Sequence, residues 1–312
     1  MKLRRRFALR IFLFVPLLLL PSLPVKAPAA EKIWRIGFLS PAIRDSFHDS
    51  FLKGLRELGY IEGRNFILQP RFAAATRRRL TEAAVELAKL RVDVIVARGT
   101  QATLAVKKAT GTIPIIMTGS SDPVGTGLVA SLAQPGANVT GMSIVAPDLA
   151  EKRLELLKRV VPGSRFVVLW NPNNAGNINE WEQSKAAANR LKISLISREV
   201  RQPKDIYRAF KSLRPRTIDA IVTLTDALLS TGRTEIVHFA ANSRLPGIFH
   251  LIDFVEQDGL MSYGPDLHHS FYRAAYYVDR VLKGANPASL PVEHRLSSSS
   301  ESIFKRRSRS AS

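Results

Sequence analysis

With 312 residues and no cysteine, the chain is long enough for two ordinary α/β domains and lacks disulfides, thiol catalysis and Cys-ligated zinc. A hydrophobic content of 46% supplies a real core and excludes general disorder. The formal charge of +20 is concentrated at the ends. Residues 1–30 carry six Lys/Arg and no acid, and the stretch from Arg295 carries five Lys/Arg and one Glu, so removing +6 and +4 leaves +10 for the body. Within the body Arg77-Arg78-Arg79 is the one basic run, at the start of a predicted helix. No DNA-reading motif accompanies it, and no nucleic-acid partner is expected.

The chain opens with Lys2, Arg4, Arg5, Arg6 and Arg10, then a short apolar run from Ile11 to Leu20 broken by Pro16, then Ala27-Pro28-Ala29. Charge, apolar stretch and small-residue exit in that order predict a secretory signal peptide over 1–30. The run is too short to span about 30 Å of hydrocarbon comfortably. Without cysteine there is no lipid anchor, so a free periplasmic protein is expected.

From Ile33 onward, β-rich runs alternate with amphipathic stretches. Strands are predicted at Ile33–Leu39, Asn65–Phe72, Val92–Ala97, Ile113–Met117, Gly141–Ile144, Phe166–Trp170, Ile193–Ile196, Ile218–Leu224, Gly247–Leu251 and Leu260–Tyr263. Several are nearly continuous apolar runs, as in parallel strands covered on both faces. Between them, Phe47, Phe51, Leu55 and Leu58 line one helical face ended by Gly59, and Leu154, Leu157 and Val161 another. Leu267, Phe271, Ala274, Val278 and Leu282 form the last, stopped by Gly284. The alternation predicts an α/β fold with doubly wound parallel sheets.

Three segments recur in the same order. Gly37–Pro41 is echoed by Val168–Pro172, Val92–Val96 by Ile218–Val222, and Ile113–Ile116 by Leu245–Ile248. Each half therefore reads as its own lobe. Crossings between the lobes are expected near Val145–Pro147 and near Asp253–Leu260, which favours a hinge around a cleft. Lobe 1 is assigned to 31–146 plus about 260–284, and lobe 2 to 147–259 plus about 285–294. Residues 295–312 are Ser- and Arg-rich without apolar period and read as a disordered tail.

In open parallel sheets a ligand lies beyond the C-terminal strand ends. Lobe 1 offers Ser40, Gly99-Thr100-Gln101 and Gly119-Ser120-Ser121-Asp122 there; lobe 2 offers Asn171-Pro172-Asn173-Asn174, Thr225-Asp226 and His250. Such small polar residues either approach a ligand or cap the next helix. The sequence holds no Gly-x-Ser-x-Gly elbow, His-Glu-x-x-His helix or phosphate-binding loop. His268-His269 lacks a third ligand nearby and reads as a solvated helix start, and His48 beside Asp45 and Asp49 reads as a surface position. No cofactor, no metal and no catalytic residue is expected.

Gly54–Asn65, Val92–Val96, Asp122-Pro123-Val124, Pro135–Gly141 and Lys152–Leu157 together resemble the ABC-transporter substrate-binding proteins related to tryptophan- and tyrosine-binding components, of the type I periplasmic-binding-protein fold. The resemblance runs from about Arg35 to Pro291. It implies a monomer that captures a small amino-acid-like or carboxylate-bearing solute between two closing lobes and docks on a permease with ATPase subunits. By matching position it nominates Ser40, Thr100, Ser121, Asp122, Asn171, Asn173, Asp226 and Tyr263 as ligand-binding. Two departures accompany it: a short Pro41–Ser46 loop, and a Ser- and Arg-rich sequence from Glu293 where relatives continue into a last strand and helix. A ligand-sensing module for a membrane receptor, or a periplasmic enzyme using His48 or His250, are the alternative functions.

Overall fold

The computed structural model describes residues 32–73, 76–144 and 146–294. The expected signal peptide, the expected tail and Val145 lie outside the described residues.

The chain runs through β1 (Trp34–Ser40), α1 (Ser46–Glu57), β2 (Phe66–Phe72), α2 (Arg77–Lys89), β3 (Val94–Arg98), α3 (Gly99–Ala109), β4 (Ile115–Ser121) and β5 (Val139–Ile144). It continues through α4 (Ala146–Val160), β6 (Arg165–Trp170), α5 (Ala175–Leu191), β7 (Ser194–Glu199), α6 (Lys204–Lys211), β8 (Ala220–Thr223), α7 (Ala227–Thr231) and α8 (Arg233–Asn242). It ends with β9 (Gly247–Phe249), α9 (Asp253–Glu256), β10 (Met261–Ser262), α10 (Leu267–Leu282) and β11 (Glu293–His294).

These strands form two sheets, ordered β11-β5-β4-β3-β1-β2 and β10-β9-β8-β6-β7, with every neighbouring pair parallel. Apart from β11, the two orders are the same winding written twice, and the ten predicted strands are the ten that fill it. The repeated sequence segments have a physical use. Asp93 at the entry to β3 takes the Arg35 backbone N–H on its carboxylate at 2.7 Å and returns its own N–H to Arg35 O at 2.8 Å. Asp219 does the same for Arg165 before β8, with both bonds at 2.8 Å. Pro114 and Pro246 likewise offer their carbonyls to Ile95 and Ile221, each at 2.9 Å. Each lobe thus pins its central strands together at their N-terminal ends, leaving the opposite ends free to diverge into loops.

Apolar side chains cover both faces of both sheets, which is why the strands read as continuous apolar runs. On lobe 1, α1 and α10 lie against each other, with Phe47, Phe51, Leu55, Phe271, Ala274 and Val278 buried between them and the sheet. Gly54 permits the approach: a Cβ there would stand 2.5 Å from the Tyr272 carbonyl oxygen. Each fully buried Phe or Leu contributes about 1.5–3 kcal/mol.

The expected lobe boundaries change at the C-terminal end. Residues 285–294 belong to lobe 1, not lobe 2: β11 pairs with Met142 and Ser143 of β5, Thr140 Oγ1 donates to Leu290 O at 2.6 Å, and Val292 N donates to Leu132 O at 2.7 Å. The chain leaving α10 is already on lobe 1, and a return to lobe 2 would need a third crossing. Within the expected 260–284 segment, β10 pairs with β9 and belongs to lobe 2, while α10 belongs to lobe 1. The second crossing therefore lies at Tyr263–Asp266, not at Asp253–Leu260, because α9 packs on α8 and β10. Nor is the last strand wholly lost at Glu293. Arg273 grips the Glu293 carboxylate at 2.6–3.1 Å, and Tyr277 Oη accepts the Glu293 N–H at 3.2 Å.

The Asp219 clamp gives a measurable pH signature. Bonds from the Arg165 side chain and from the Arg165 and Ser164 backbone hold its carboxyl down to about 2. A lowered folded-state pKa adds stability that is present above the unfolded pKa of 3.8 and is lost as the pH falls toward 2. After discounting for solvent screening, Asp219→Asn should cost about 1 kcal/mol in urea unfolding at pH 7. The gap to the parent protein should close as the pH is lowered from about 4 to 2.5.

Candidate functional site between the lobes

The C-terminal strand ends of the two sheets face one another, as ligand sites of open parallel sheets require. Between them lies a pocket with about 470 Å³ of space free of protein atoms, part of it continuous with solvent. Lobe 1 lines it with Pro41, Arg98, Gly99, Thr100, Gln101, Thr118, Gly119 and Ser121, and with Leu267 and Phe271 from α10. Lobe 2 lines it with Asn174, Thr225, Asp226, Ala227, Ser230 and His250. The lobes touch beside the pocket. Asn179 Nδ2 of α5 donates to Asp122 Oδ2 at 2.9 Å, and Gly176 lies against Thr100 and Ser121.

On lobe 2 the lining rests on a buried ionic network. Arg153 of α4 and Glu180 of α5 are both fully buried and meet at 2.5 Å. Arg153 also donates to Tyr263 O at 2.7 Å and Thr225 Oγ1 at 3.0 Å. Glu180 accepts the Thr225 N–H at 2.9 Å and the Asn177 amide at 3.3 Å. Burial pushes the Glu180 carboxyl up, while Arg153 and the Thr225 donors act against that shift. From this base, Asn177 receives Asn171 N at 2.9 Å, and Asn171 and Asn174 donate to Asp226 at 3.3 and 2.8 Å. Asp226 itself caps α7 by accepting Leu228 N at 2.8 Å. Burial raises its pKa, the Asn174, Leu228, Asn171 and Leu229 donors oppose the rise, and all four are uncharged.

His250 is satisfied at both ring nitrogens. The Ser230 hydroxyl donates to Asp226 O at 2.9 Å, so it accepts from His250 Nε2 at 3.0 Å, and Nδ1 accepts from the Thr223 hydroxyl at 2.8 Å. Burial, with Arg153 and Arg98 nearby, holds its pKa well below 6.5, so the ring is neutral at pH 7.

The lobe 1 wall carries one charge, Arg98, only 4% exposed at the end of β3. Its Nη1 pairs with Asp45 at 2.5 Å, and its guanidinium carbon sits 4.9 Å from the Phe47 ring centroid. Its Nη2 is buried without a hydrogen-bond partner among the described residues.

The family description "ABC transporter substrate binding protein" matches residues 33–306. The chain belongs to that family. The match passes Val292, beyond the point where the sequence resemblance was expected to stop. A tyrosine-binding protein of Clostridioides difficile is 27% identical over 249 residues, covering 80% of this chain and 71% of the relative. A Streptococcus pneumoniae ABC domain solved in complex with L-Trp is 26% identical, with a TM-score of 0.76 over 85% of this chain and 90% of its own. A conserved domain protein of Vibrio cholerae is 28% identical, with a TM-score of 0.78 over 85% of this chain and 89% of its own. Membership fixes the role as solute binding for an ABC transporter, in a family of binding proteins and not of enzymes.

Of the eight nominated residues, Thr100, Ser121 and Asp226 line the pocket. Asn171 stands one layer behind, holding Asp226. Ser40 is buried with its Oγ accepting Ala42 N at 3.1 Å, and Pro41 lines the pocket in its place. Asp122, at φ +41°, turns its carboxylate to Gly125 N and to Asn179, joining the lobes outside the pocket lining. Asn173 lines an outer groove with Arg77 and Lys108. Tyr263 packs on the lobe 2 core, and its contribution is the carbonyl that Arg153 holds. His48 is buried between Phe38 and Phe72, not at the surface. Among the described residues no group of His, Cys, Asp and Glu is arranged to hold a metal. The sequence reading missed Arg98, Ser230, Arg153 and Glu180. A charge closing the apolar run Val92–Ala97 was the available signal for Arg98.

Glu180→Gln leaves a buried guanidinium without its counter-charge. It should destabilise the protein by about 3–5 kcal/mol in denaturant unfolding. Glu182→Gln, on the same helix and exposed, should stay within about 0.5 kcal/mol of the parent.

Proposed function

We propose that the chain is the exported, periplasmic solute-binding component of an ABC uptake transporter, working as a monomer with a permease and its ATPase subunits. Its cargo is a small amino-acid-like or carboxylate-bearing solute held between the lobes. The single observation that carries the reading is the pocket itself, where polar strand ends of both sheets converge on a shared space. The tyrosine-binding relative and the L-Trp complex support the ligand class. The N-terminal pattern of charge, apolar run and small residues supports export. Of the two histidines of the enzyme reading, His250 has both nitrogens engaged and carries no free lone pair toward the pocket.

A thermal-shift screen of the purified protein against amino acids and small organic acids tests the proposal. A ligand at about 1,000 times its Kd should add about 4 kcal/mol to stability and raise the melting temperature. No response across such a library would count against it. Closure is testable separately at Gly176, where a Cβ would stand 2.8 Å from Ser121 Cβ and 2.9 Å from Thr100 Oγ1. Gly176→Ala should leave the ligand-free melting temperature within a few degrees of the parent and weaken binding of whichever solute the screen returns by about tenfold, read by calorimetry.

A further inference from the structure

We propose a second binding site, separate from the solute pocket: a cavity at the second crossing that takes a small organic ammonium ion, with the Asp253 carboxylate and His268 Nε2 as its acceptors. The cavity has about 830 Å³ of space free of protein atoms, part of it continuous with solvent. Leu251, Asp253 and Ser262 of lobe 2 line one side, and Phe47, Leu267 and His268 of lobe 1 the other. Only Leu267 also lines the solute pocket. Phe47 stacks on Phe271 with ring centroids 5.7 Å apart, and the pair presents one ring to each space.

Asp253 is 6% exposed in the first turn of α9, and its carboxylate accepts no hydrogen bond among the described residues, with Oδ2 wholly buried. A buried carboxylate without donors costs free energy that a purely structural residue has no reason to impose. The basic group beside it is His268, whose Nε2 lies 3.9 Å from Oδ1, beyond hydrogen-bond length. The tautomer of His268 follows from α1. Ser50 Oγ donates to Ser46 O at 3.0 Å and therefore accepts from His268 Nδ1 at 3.0 Å. In the neutral ring Nε2 is then a lone pair, and it faces a carboxylate oxygen. Two acceptors set against each other call for a shared donor. One ammonium nitrogen reaches both at about 2.9 Å, with a proton for each.

The cavity lining has Asp253, Asp266 and His268 but no Lys or Arg, although the body of the chain is basic. Asp266, exposed at the rim, adds attraction for a cation arriving from solvent. The three are not arranged to hold a metal ion. Buried Phe47, Leu251 and Leu267 offer a carbon chain an apolar surface. Together these features select an alkylammonium without a carboxylate, because a second negative charge beside Asp253 is repelled. Since both lobes supply the walls, a bound ammonium favours the lobe arrangement that assembles them.

Calorimetric titration of the purified protein with n-butylammonium chloride tests the assignment, with n-butanol and sodium butyrate as neutral and anionic controls. Butylammonium should bind with a Kd of about 1 mM or tighter, and each control at least about tenfold more weakly. Asp253→Asn should weaken butylammonium at least about tenfold. His268→Phe, which keeps a ring against Phe47, should weaken it about threefold or more. Glu182→Gln, exposed on α5, should leave it unchanged. Asp253→Asn should also melt at or above the parent protein, because it removes an unpaired buried charge. A lower melting temperature would make Asp253 a structural partner of His268 and overturn the assignment. Unchanged butylammonium affinity in either site variant, an equal loss in Glu182→Gln, equal binding of n-butanol, or no binding of butylammonium to the parent protein would overturn it as well. None of these results bears on solute binding, because Asp253 and His268 lie outside the lining of the solute pocket.

Discussion

The buried pair Arg153–Glu180 is the constraint on which the lobe 2 half of the cleft depends. Two opposite charges removed from water are tolerable only when every remaining donor and acceptor is met. Here Thr225, Asn177 and the Tyr263 carbonyl meet them. Those partners come from different places along the chain: α5, the loop after β8, and the start of the second crossing. Satisfying one ion pair therefore fixes the positions of several loops at once. Asn171, Asn174 and Asp226 take their places from that arrangement, and the pocket inherits its lobe 2 wall from it.

Lobe 1 solves the same problem with less machinery. Its wall follows from strand ends and from Arg98, whose charge is met on one side by Asp45 and supported by an aromatic ring. One side of the cleft is thus a locked network, and the other a single guanidinium with capacity to spare.

The fold was largely legible because parallel strands covered on both faces must be apolar along their whole length. The runs at Val92–Ala97 and Ile218–Leu224 left little room for another reading. The duplicated segments were legible too, although their meaning was not: Val92-Asp93 and Ile218-Asp219 recur in the sequence, and in the fold each aspartate clamps a neighbouring strand. The candidate site was half legible. Small polar residues after strands mark the loops that line the pocket, but the Ser40 side chain bonds within its own turn and that of Asp122 divides between its own turn and Asn179. Arg153 and Glu180 were hidden for the opposite reason, since charged residues on amphipathic helices ordinarily face water and nothing local marks the two that turn inward. The short pairing at Glu293–His294 escaped because two residues carry no periodicity.

The placement of β11 bears on how the molecule assembles. Lobe 2 is continuous in sequence from Ala146 to Ser262, and all of its strands and helices come from that span. Lobe 1 is not: α10 and β11, from the end of the chain, cover and extend a sheet whose other strands were made first. A chain emerging from its N-terminus can therefore complete lobe 2 while lobe 1 still waits for its last helix, with the apolar face that Phe271 will fill left open. The lobe that starts first finishes last, and in that interval its apolar face stays uncovered.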